Sequence, residues 1–327
     1  MNADNSGARF SAVIVNYDGG AALVDCVRSI FREGVAAAQI IVVDNGSHDN
    51  SLANLAKEIS GTTMIRNACN AGFARAVNQG LSKTTGDFVL LLNNDAQLQP
   101  GALRAFAEAF DRIPSLAIAG GQLLFPDGRL QNAIAPFPTL TGELLPRALL
   151  QWLSPLRFRG KTASQIPVAV ESVIGACLVV RRSILPKLGL MDEDYFFFLE
   201  ETEWCHRARQ LGFEIYYLPG AQALHVQAQT ANRFRSQARI EFQRSKLTFF
   251  RKTRSRPAYW VVSLLLPAKI FVNAAANTII CVFTFFLSKH FRVKAHTYWR
   301  IFAWHMLGRP QSWGLPGKCP QQAIPEK

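Results

Sequence analysis

Asp95 is the side chain best placed for chemistry in this sequence. It closes Asn93-Asn94-Asp95, directly after the unbroken apolar run Phe88-Val89-Leu90-Leu91-Leu92. Runs of that kind are strands buried on both faces of a helix-covered parallel sheet. Ligands of open α/β sheets collect just beyond the carboxyl ends of such strands. A lone carboxylate flanked by two amides suits a divalent cation held against a diphosphate, although the same three residues also make an ordinary turn. A second group of acids, Glu200, Glu201 and Glu203, lies in a helix-like stretch from Tyr195 to Gly212 that also carries Arg207 and Arg209. Acids enrich a first helical turn on dipole grounds alone.

The elements that must position these groups are legible in the first third. Phe10–Val15, Ile40–Val43, Thr63–Arg66 and Phe88–Leu92 read as strands. Ala21–Glu33 carries apolar residues at helical spacing, and Ser47 or Asp49 is placed to cap a helix over Ser51–Ile59. Asn70-Ala71-Gly72-Phe73 opens a third helix containing Asn78 and Gly80. This βαβαβαβ series predicts right-handed crossovers and one parallel sheet, with every polar cluster at one edge.

Beyond residue 125 the pattern changes. Pro126-Asp127-Gly128 and Pro136-Phe137-Pro138 mark turns, and residues 139–165 read as a variable loop. Val168–Val180 is strand-like around Gly175-Ala176-Cys177, and Glu214–Leu218 is a strand with His225 after it. Between Arg233 and Arg256, nine Lys and Arg face a single acid, Glu241. Ala258–Leu287 is strongly apolar but interrupted by Pro267, Lys269, Asn273 and Asn277, with Lys289, Arg292 and Lys294 beyond it. Basic flanks on both sides favour a stretch lying in, or looping back to, a cytosolic membrane interface.

Length and composition set the bounds. With 327 residues and nearly half of them apolar, the chain builds a large core. A net charge of +13 calls for an acidic partner: nucleic acid, an anionic membrane or a phosphorylated substrate. No helix-turn-helix, RNA motif or zinc knuckle accompanies the basic block, so nucleic acid is not expected. The six cysteines show no paired spacing and read as reduced thiols, Cys177 and Cys205 being small core residues. Met1–Arg9 is polar and predicts no secretory signal, which places the catalytic part in the cytosol.

In order, the clusters are Val15-Asn16-Tyr17, Val43-Asp44-Asn45-Gly46-Ser47, Asn70-x-Gly-Phe-Ala with Asn78-Gln-Gly, Leu92-Asn93-Asn94-Asp95, Gly175-Ala176-Cys177 and Phe198-Leu199-Glu200-Glu201-Thr202-Glu203-Trp204-Cys205. Over about residues 10 to 255 this series resembles the family-2 inverting glycosyltransferases with the GT-A fold. Within them it resembles the rhamnosyltransferase-like group of bacterial surface-polysaccharide assembly. The resemblance implies an α/β, Rossmann-like and mostly parallel sheet flanked by helices. The transferase domain would occupy residues 1–232, with a nucleotide-binding half at about 10–125 and an acceptor half at about 126–232. A basic, apolar, membrane-associating extension would follow at 233–327.

The resemblance also implies roles. Asn16, Tyr17, Asp44 and Asn45 would line the base and ribose pocket, and Asn70, Gly72 and Asn78 would pack beside the ribose and diphosphate, with Asn94 alongside. Asp95, helped by His225, would hold Mg²⁺ or Mn²⁺, which would stabilise the departing nucleoside diphosphate. Glu201 aligns with the family's base and Glu200 would orient the site or contact acceptor, although the family pattern has Asp at the base position. The glycine and serine that follow the family's histidine are replaced here by Gln227 and Thr230. Asp192 would help shape the acceptor wall. The expected partners are a nucleotide-sugar donor (dTDP-rhamnose foremost), a glycan or lipid-linked glycan acceptor, and the cytoplasmic face of a bacterial inner membrane. The rival expectations are a catalytically silent membrane-bound scaffold and an oxidoreductase, the latter disfavoured because no GxGxxG follows the first strand.

Overall fold

The computed structural model describes residues 5–155, 164–226 and 234–319. Four strands stand where the apolar runs place them: β1 (Phe10–Asn16), β2 (Ile40–Asp44), β3 (Thr63–Arg66) and β4 (Phe88–Leu92). After them come β5 (Ala96–Leu98), β6 (Leu116–Leu124), β7 (Ile134–Ala135), β8 (Val168–Ala169), β9 (Ser172–Val173), β10 (Cys177–Arg181) and β11 (Glu214–His225). The main sheet runs β3-β2-β1-β4-β10-β6-β11-β5, with β8 also on β11, and β7 and β9 form a separate ribbon. Its first four strands are parallel, and Asn16 is in register with Asp44. The parallel sheet expected for these four strands is present, and β10 then enters antiparallel between β4 and β6. It follows an excursion of strands and turns, and an antiparallel neighbour needs no helical crossover.

Helices cover both faces. Leu23, Val27 and Ile30 from Ala22–Arg32 and Leu103, Phe106 and Phe110 from Ala102–Arg112 pack on one side. Val77 and Leu81 from Phe73–Leu81 and Trp204, Cys205 and Ala208 from Glu200–Gln210 pack on the other. A third core joins three further helices through Ile240, Phe250, Leu266, Ile270, Ile301 and Trp304. These helices are Arg235–Thr253, Arg256–Phe283 and Lys289–Met306. The first of them is bonded to the loop before the Glu200–Gln210 helix: Ser245 Oγ donates to Phe197 O at 2.8 Å, and Lys252 Nζ lies 2.6 Å from Asp192.

Several expectations change. Residues 139–165 are not simply a loop, since helices form over Leu140–Leu144 and Arg147–Leu153, the first capped by Thr139 Oγ1 accepting from Gly142 N. The stretch 195–212 becomes helical only at Glu200. His225 is the last residue of β11 rather than a residue beyond a shorter strand, because a register shift between Leu218 and Gln222 absorbs Pro219-Gly220 and the strand resumes. The polar residues of the apolar stretch do not break its helix. Lys269 Nζ donates to Glu143 O, and the Asn273 and Asn277 amides bond carbonyls four residues back. That helix is the one described element long and apolar enough to cross a membrane, with mean hydropathy 1.6 over a window that is 28% buried. Finally, Cys69 and Cys319 form a disulfide across 250 residues, while Cys26, Cys177, Cys205 and Cys281 are free and buried. The reading of six reduced thiols is therefore wrong for two of them, and the cysteines lose their force as an argument for a reducing compartment.

Candidate active site

The carboxyl ends of β1, β2 and β4 are tied together by one amide. Asn16 Nδ2 donates to Asp44 Oδ1 (3.1 Å), Ser47 Oγ (3.0 Å) and Ser51 Oγ (2.8 Å), and its Oδ1 accepts from Asn94 Nδ2 at 3.1 Å. Asn16 has no exposed surface. It holds Asp44 and Asn94 in place and has nothing left for a base or ribose. Tyr17, the next residue, is half-buried at the edge of this cluster. Asn45 is likewise enclosed: its amide donates to Asn70 Oδ1 and Gly72 O, and its Oδ1 accepts from Ala71 N and Asn67 Nδ2. It fixes the turn at residues 67–72 against β2.

Asn78 lies on the far side of its helix. It grips Met191 through both main-chain groups (2.9 and 3.0 Å) and donates to Glu193 Oε1. It thus positions the loop of Asp192, and Asp192 in turn pairs with Lys252. Gly72 has φ +93, and a Cβ there would fall 2.9 Å from the Phe196 ring and 3.0 Å from Phe196 O. The close approach inferred for this glycine is thus to the chain's own Phe196, whose carbonyl accepts from Phe73 N at 2.7 Å. Gly72→Ala should cost roughly 1–3 kcal/mol through left-handed strain and that clash. Urea denaturation would measure it, and an unchanged midpoint would contradict this packing.

Asp95 faces His225. His225 Nε2 lies 3.3 Å from Asp95 Oδ1, with the Asp95 side chain 13% exposed. The other ring nitrogen, Nδ1, is 3.0 Å from Gln131 Oε1. Gln131 Nε2 donates to Leu124 O and His225 O, so its Oε1 is the acceptor and Nδ1 carries the proton. Nε2 is left to face the carboxylate. A carboxylate and an imidazole oriented through its second nitrogen fit a divalent cation that takes its remaining ligands from diphosphate and water. Among the described residues no cluster of three His, Cys, Asp or Glu side chains offers a fuller protein cage.

The acids are one contact away. Asn93 N donates to Ala176 O at 3.0 Å, and the Glu201 side chain packs on Gly175, with its Cβ and Cγ 3.5 Å from where a glycine Cβ would stand. The contacts His225–Asp95, Asn93–Ala176 and Gly175–Glu201 link the segments that carry the two sets of acids. Phe198 and Leu199 both hold left-handed backbone (φ 73 and 65) immediately before the helix of Glu200. Strain of that kind on bulky residues is kept where structure over-determines it, commonly at working sites. Glu200 and Glu201 each leave one buried oxygen, Oε2, without a hydrogen-bond partner. Burial raises the Glu201 carboxyl above the ordinary range, and backbone N–H groups of Glu201, Thr202 and Gly175 offset part of the rise. Burial raises Glu200 further, with the Glu201 charge adding to it.

Other acids and arginines here hold structure. Glu203 pairs with Arg207 at 2.8 Å, and Arg207 also donates to Leu188 O and Leu190 O, so its half-buried guanidinium holds the 188–190 turn against this helix. Trp204 is buried, as expected, and donates to Gly189 O. Gln227 and Thr230 lie outside the described residues. A cavity of about 590 Å³ lined by Arg9, Gln39, Thr85 and Asp87 includes none of the candidate residues. Gln131 and the left-handed pair Phe198-Leu199 were missed in the sequence. The pair carries no glycine or asparagine to signal it, and Gln131 sits 94 residues from the histidine it orients.

With this geometry in hand, relatives are informative. The profile of glycosyl transferase family 2 matches residues 11–189. N-acetylglucosaminyl-diphospho-decaprenol L-rhamnosyltransferase of Mycobacterium tuberculosis is 27% identical over 240 residues, 68% of this chain and 77% of that protein. Low-salt glycan biosynthesis hexosyltransferase Agl10 of Haloferax volcanii is 26% identical over 267 residues, 78% of this chain and 81% of that one. Among solved structures, the mannosyltransferase PcManGT of Pyrobaculum calidifontis, in complex with GDP-Man and Mn²⁺, gives a TM-score of 0.54 at 15% identity, over 93% of this chain and 87% of that chain. GalNAc-T7 with UDP, GalNAc and Mn²⁺ gives 0.51 at 17% identity over 66% of this chain, which spans only 43% of that chain's length. At such identities the likeness concerns the fold, a mixed α/β sheet with flanking helices.

Proposed function

The chain belongs to glycosyl transferase family 2 and has the GT-A fold, and on that premise we propose that it transfers a sugar with inversion from a nucleoside diphosphate donor to a lipid-linked glycan. The observation that carries this reading is the run of contacts from His225 and Asp95 through Asn93, Ala176 and Gly175 to Glu201. Tyr17, Asp44 and Asn70 are assigned to the nucleotide, with Asn16, Asn45, Gly72, Asn78 and Asn94 holding the walls. Asp95 and His225 are assigned to a divalent cation, Mg²⁺ or Mn²⁺, which supplies Lewis-acid stabilisation to the leaving diphosphate. Glu201 takes the proton of the acceptor hydroxyl as the new oxygen–carbon bond forms. The old sugar–phosphate bond breaks on the opposite face, and its electron pair leaves with the nucleoside diphosphate.

Rhamnose from dTDP-rhamnose is the proposed donor and a diphosphate-linked lipid the proposed acceptor, supported by the mycobacterial relative, an N-acetylglucosaminyl-diphospho-decaprenol L-rhamnosyltransferase. A panel of nucleotide sugars, assayed for nucleoside diphosphate release and for transfer to polyprenyl-diphosphate N-acetylglucosamine, tests both. Turnover of another sugar alone would replace the donor, and no turnover of any would remove the reading.

We assign residues 1–232 to transfer and 233–327 to a cytosolic membrane face. The support is the exposed apolar end of the helical extension: Phe283, Phe285 and Leu287 are 80, 83 and 83% exposed. Arg251, Lys252 and Arg254 precede this extension's long helix, which itself opens on Arg256, and Lys289, Arg292 and Lys294 follow it. The Lys289–Met306 helix packs back along the long one, returning the chain to the side it came from. The protein should sediment with phosphatidylglycerol vesicles and less with phosphatidylcholine ones. Replacing Phe283, Phe285 and Leu287 by Ser should cut partition by about a hundredfold or more, at roughly 1 kcal/mol or more per side chain. Equal partition of variant and parent would return this end to ordinary surface.

A further inference from the structure

The segment Leu315–Cys319 lies across the edge of the proposed nucleotide pocket. Asn70 N donates to Gly317 O and Cys319 N donates to Asn70 O, both at 3.0 Å, so the segment adds a short parallel bridge to the turn of Asn70. The Cys69–Cys319 disulfide latches its end to that turn. Cys69 is itself pressed against the turn that follows Asp44, where a Cβ on Gly46 would fall 2.8 Å from Cys69 Cα. Gly317 has φ +73, and a Cβ there would stand 2.8 Å from Tyr17 Oη. The segment's backbone therefore rests on the hydroxyl end of the Tyr17 ring.

A second latch is ionic. Lys318 Nζ is 2.7 Å from Glu241 Oε2 and 4.1 Å above the Phe196 ring centroid. Glu241 is fully buried, held also by Arg244 at 2.8 Å and by Leu315 N. Removing the disulfide thus loosens the segment without releasing it.

We infer that Leu315–Cys319 is a redox-latched wall of the donor pocket that positions Tyr17 and so sets nucleotide affinity. The inference rests on the proposed reading of Tyr17 and Asn70 as nucleotide residues. Opening the latch needs a dithiol reductant: it delivers two electrons and two protons, the Cys69–Cys319 bond becomes two thiols, and the dithiol becomes a disulfide. Tyr17 then loses its backing.

The test uses the full chain, oxidised and reduced with dithiothreitol, with affinity for dTDP and UDP measured by calorimetry. Reduction should weaken binding by about three- to tenfold, the range for losing the pre-ordering of one side chain or short loop. Reoxidation should restore it. In transfer assays the donor KM should rise while kcat stays within about twofold, a split that general destabilisation would not produce. Cys319→Ser should match the reduced protein and ignore dithiothreitol, and Lys318→Met should weaken binding in the oxidised protein. Equal affinity in both redox states, with transfer intact, overturns the wall and leaves the proposed function standing. Binding of neither nucleotide in either state overturns both.

Discussion

Asp95→Ala is expected to lower transfer by about 10³-fold or more while leaving the fold intact. The expected loss follows from several kcal/mol of leaving-group stabilisation, at about 1.4 kcal/mol per decade. The fold should survive because the side chain's one polar partner among the described residues is His225, while the Asp95 carbonyl keeps its bond from Val226 N at 3.1 Å. Metal-dependent donor binding should disappear with transfer, and a chelator should reproduce the defect in the parent protein. His225→Ala should be milder, about 10–100-fold, the range for losing support to a metal site. Circular dichroism checks folding, and calorimetry with and without Mn²⁺ checks donor binding. Near-parental turnover in Asp95→Ala would remove the cation from this position.

How much of this was legible depends on distance along the chain. Of the first four strands β3 is short and only half-buried, whereas β1, β2 and β4 were readable because each is a largely apolar run ending in polar residues, a pattern fixed by burial on both faces. The second half was not, because β7, β8 and β9 are two-residue pairings that leave no periodicity. The acids of the site were visible, but what orients them is distant. Gln131 holds His225 from 94 residues away, and Cys319 reaches Cys69 across 250. Asparagine posed another difficulty. Asn16, Asn45 and Asn78 sit where ligand contacts were expected, yet each has its amide committed to neighbouring loops. A buried amide that pins three segments and one that greets a ligand look alike in a sequence, since both answer the same demand for satisfied polar groups at strand ends.

Glu201→Gln is expected to lower transfer by roughly 10² to 10⁴ and to leave donor binding nearly unchanged, because an amide keeps the shape but accepts no proton. The coupling within the acid pair sharpens this. Burial raises both carboxyls, and a charge on Glu201 disfavours one on Glu200. Gly175 and Thr202 N–H groups favour the charged form of Glu201, and the two groups titrate as a pair. Glu200→Gln leaves the Glu201 carboxylate in place and should be the milder change. For Glu201, a raised value means that protonation silences the base at a higher pH than an exposed glutamate would, so the acidic limb of kcat/KM should lie above the ordinary carboxylate range. Stability follows the same sign. A carboxyl raised on folding costs stability that builds as pH rises above its unfolded value and is complete above its folded value, and the cost is relieved as pH falls back through that window. Glu201→Gln should accordingly raise the thermal midpoint at pH 7 while removing activity, and the gain should shrink toward acidic pH. A variant that loses both activity and stability would mark Glu201 as a structural residue. Greater damage from Glu200→Gln would exchange the two roles, since the base is whichever carboxylate ionises first and faces the acceptor.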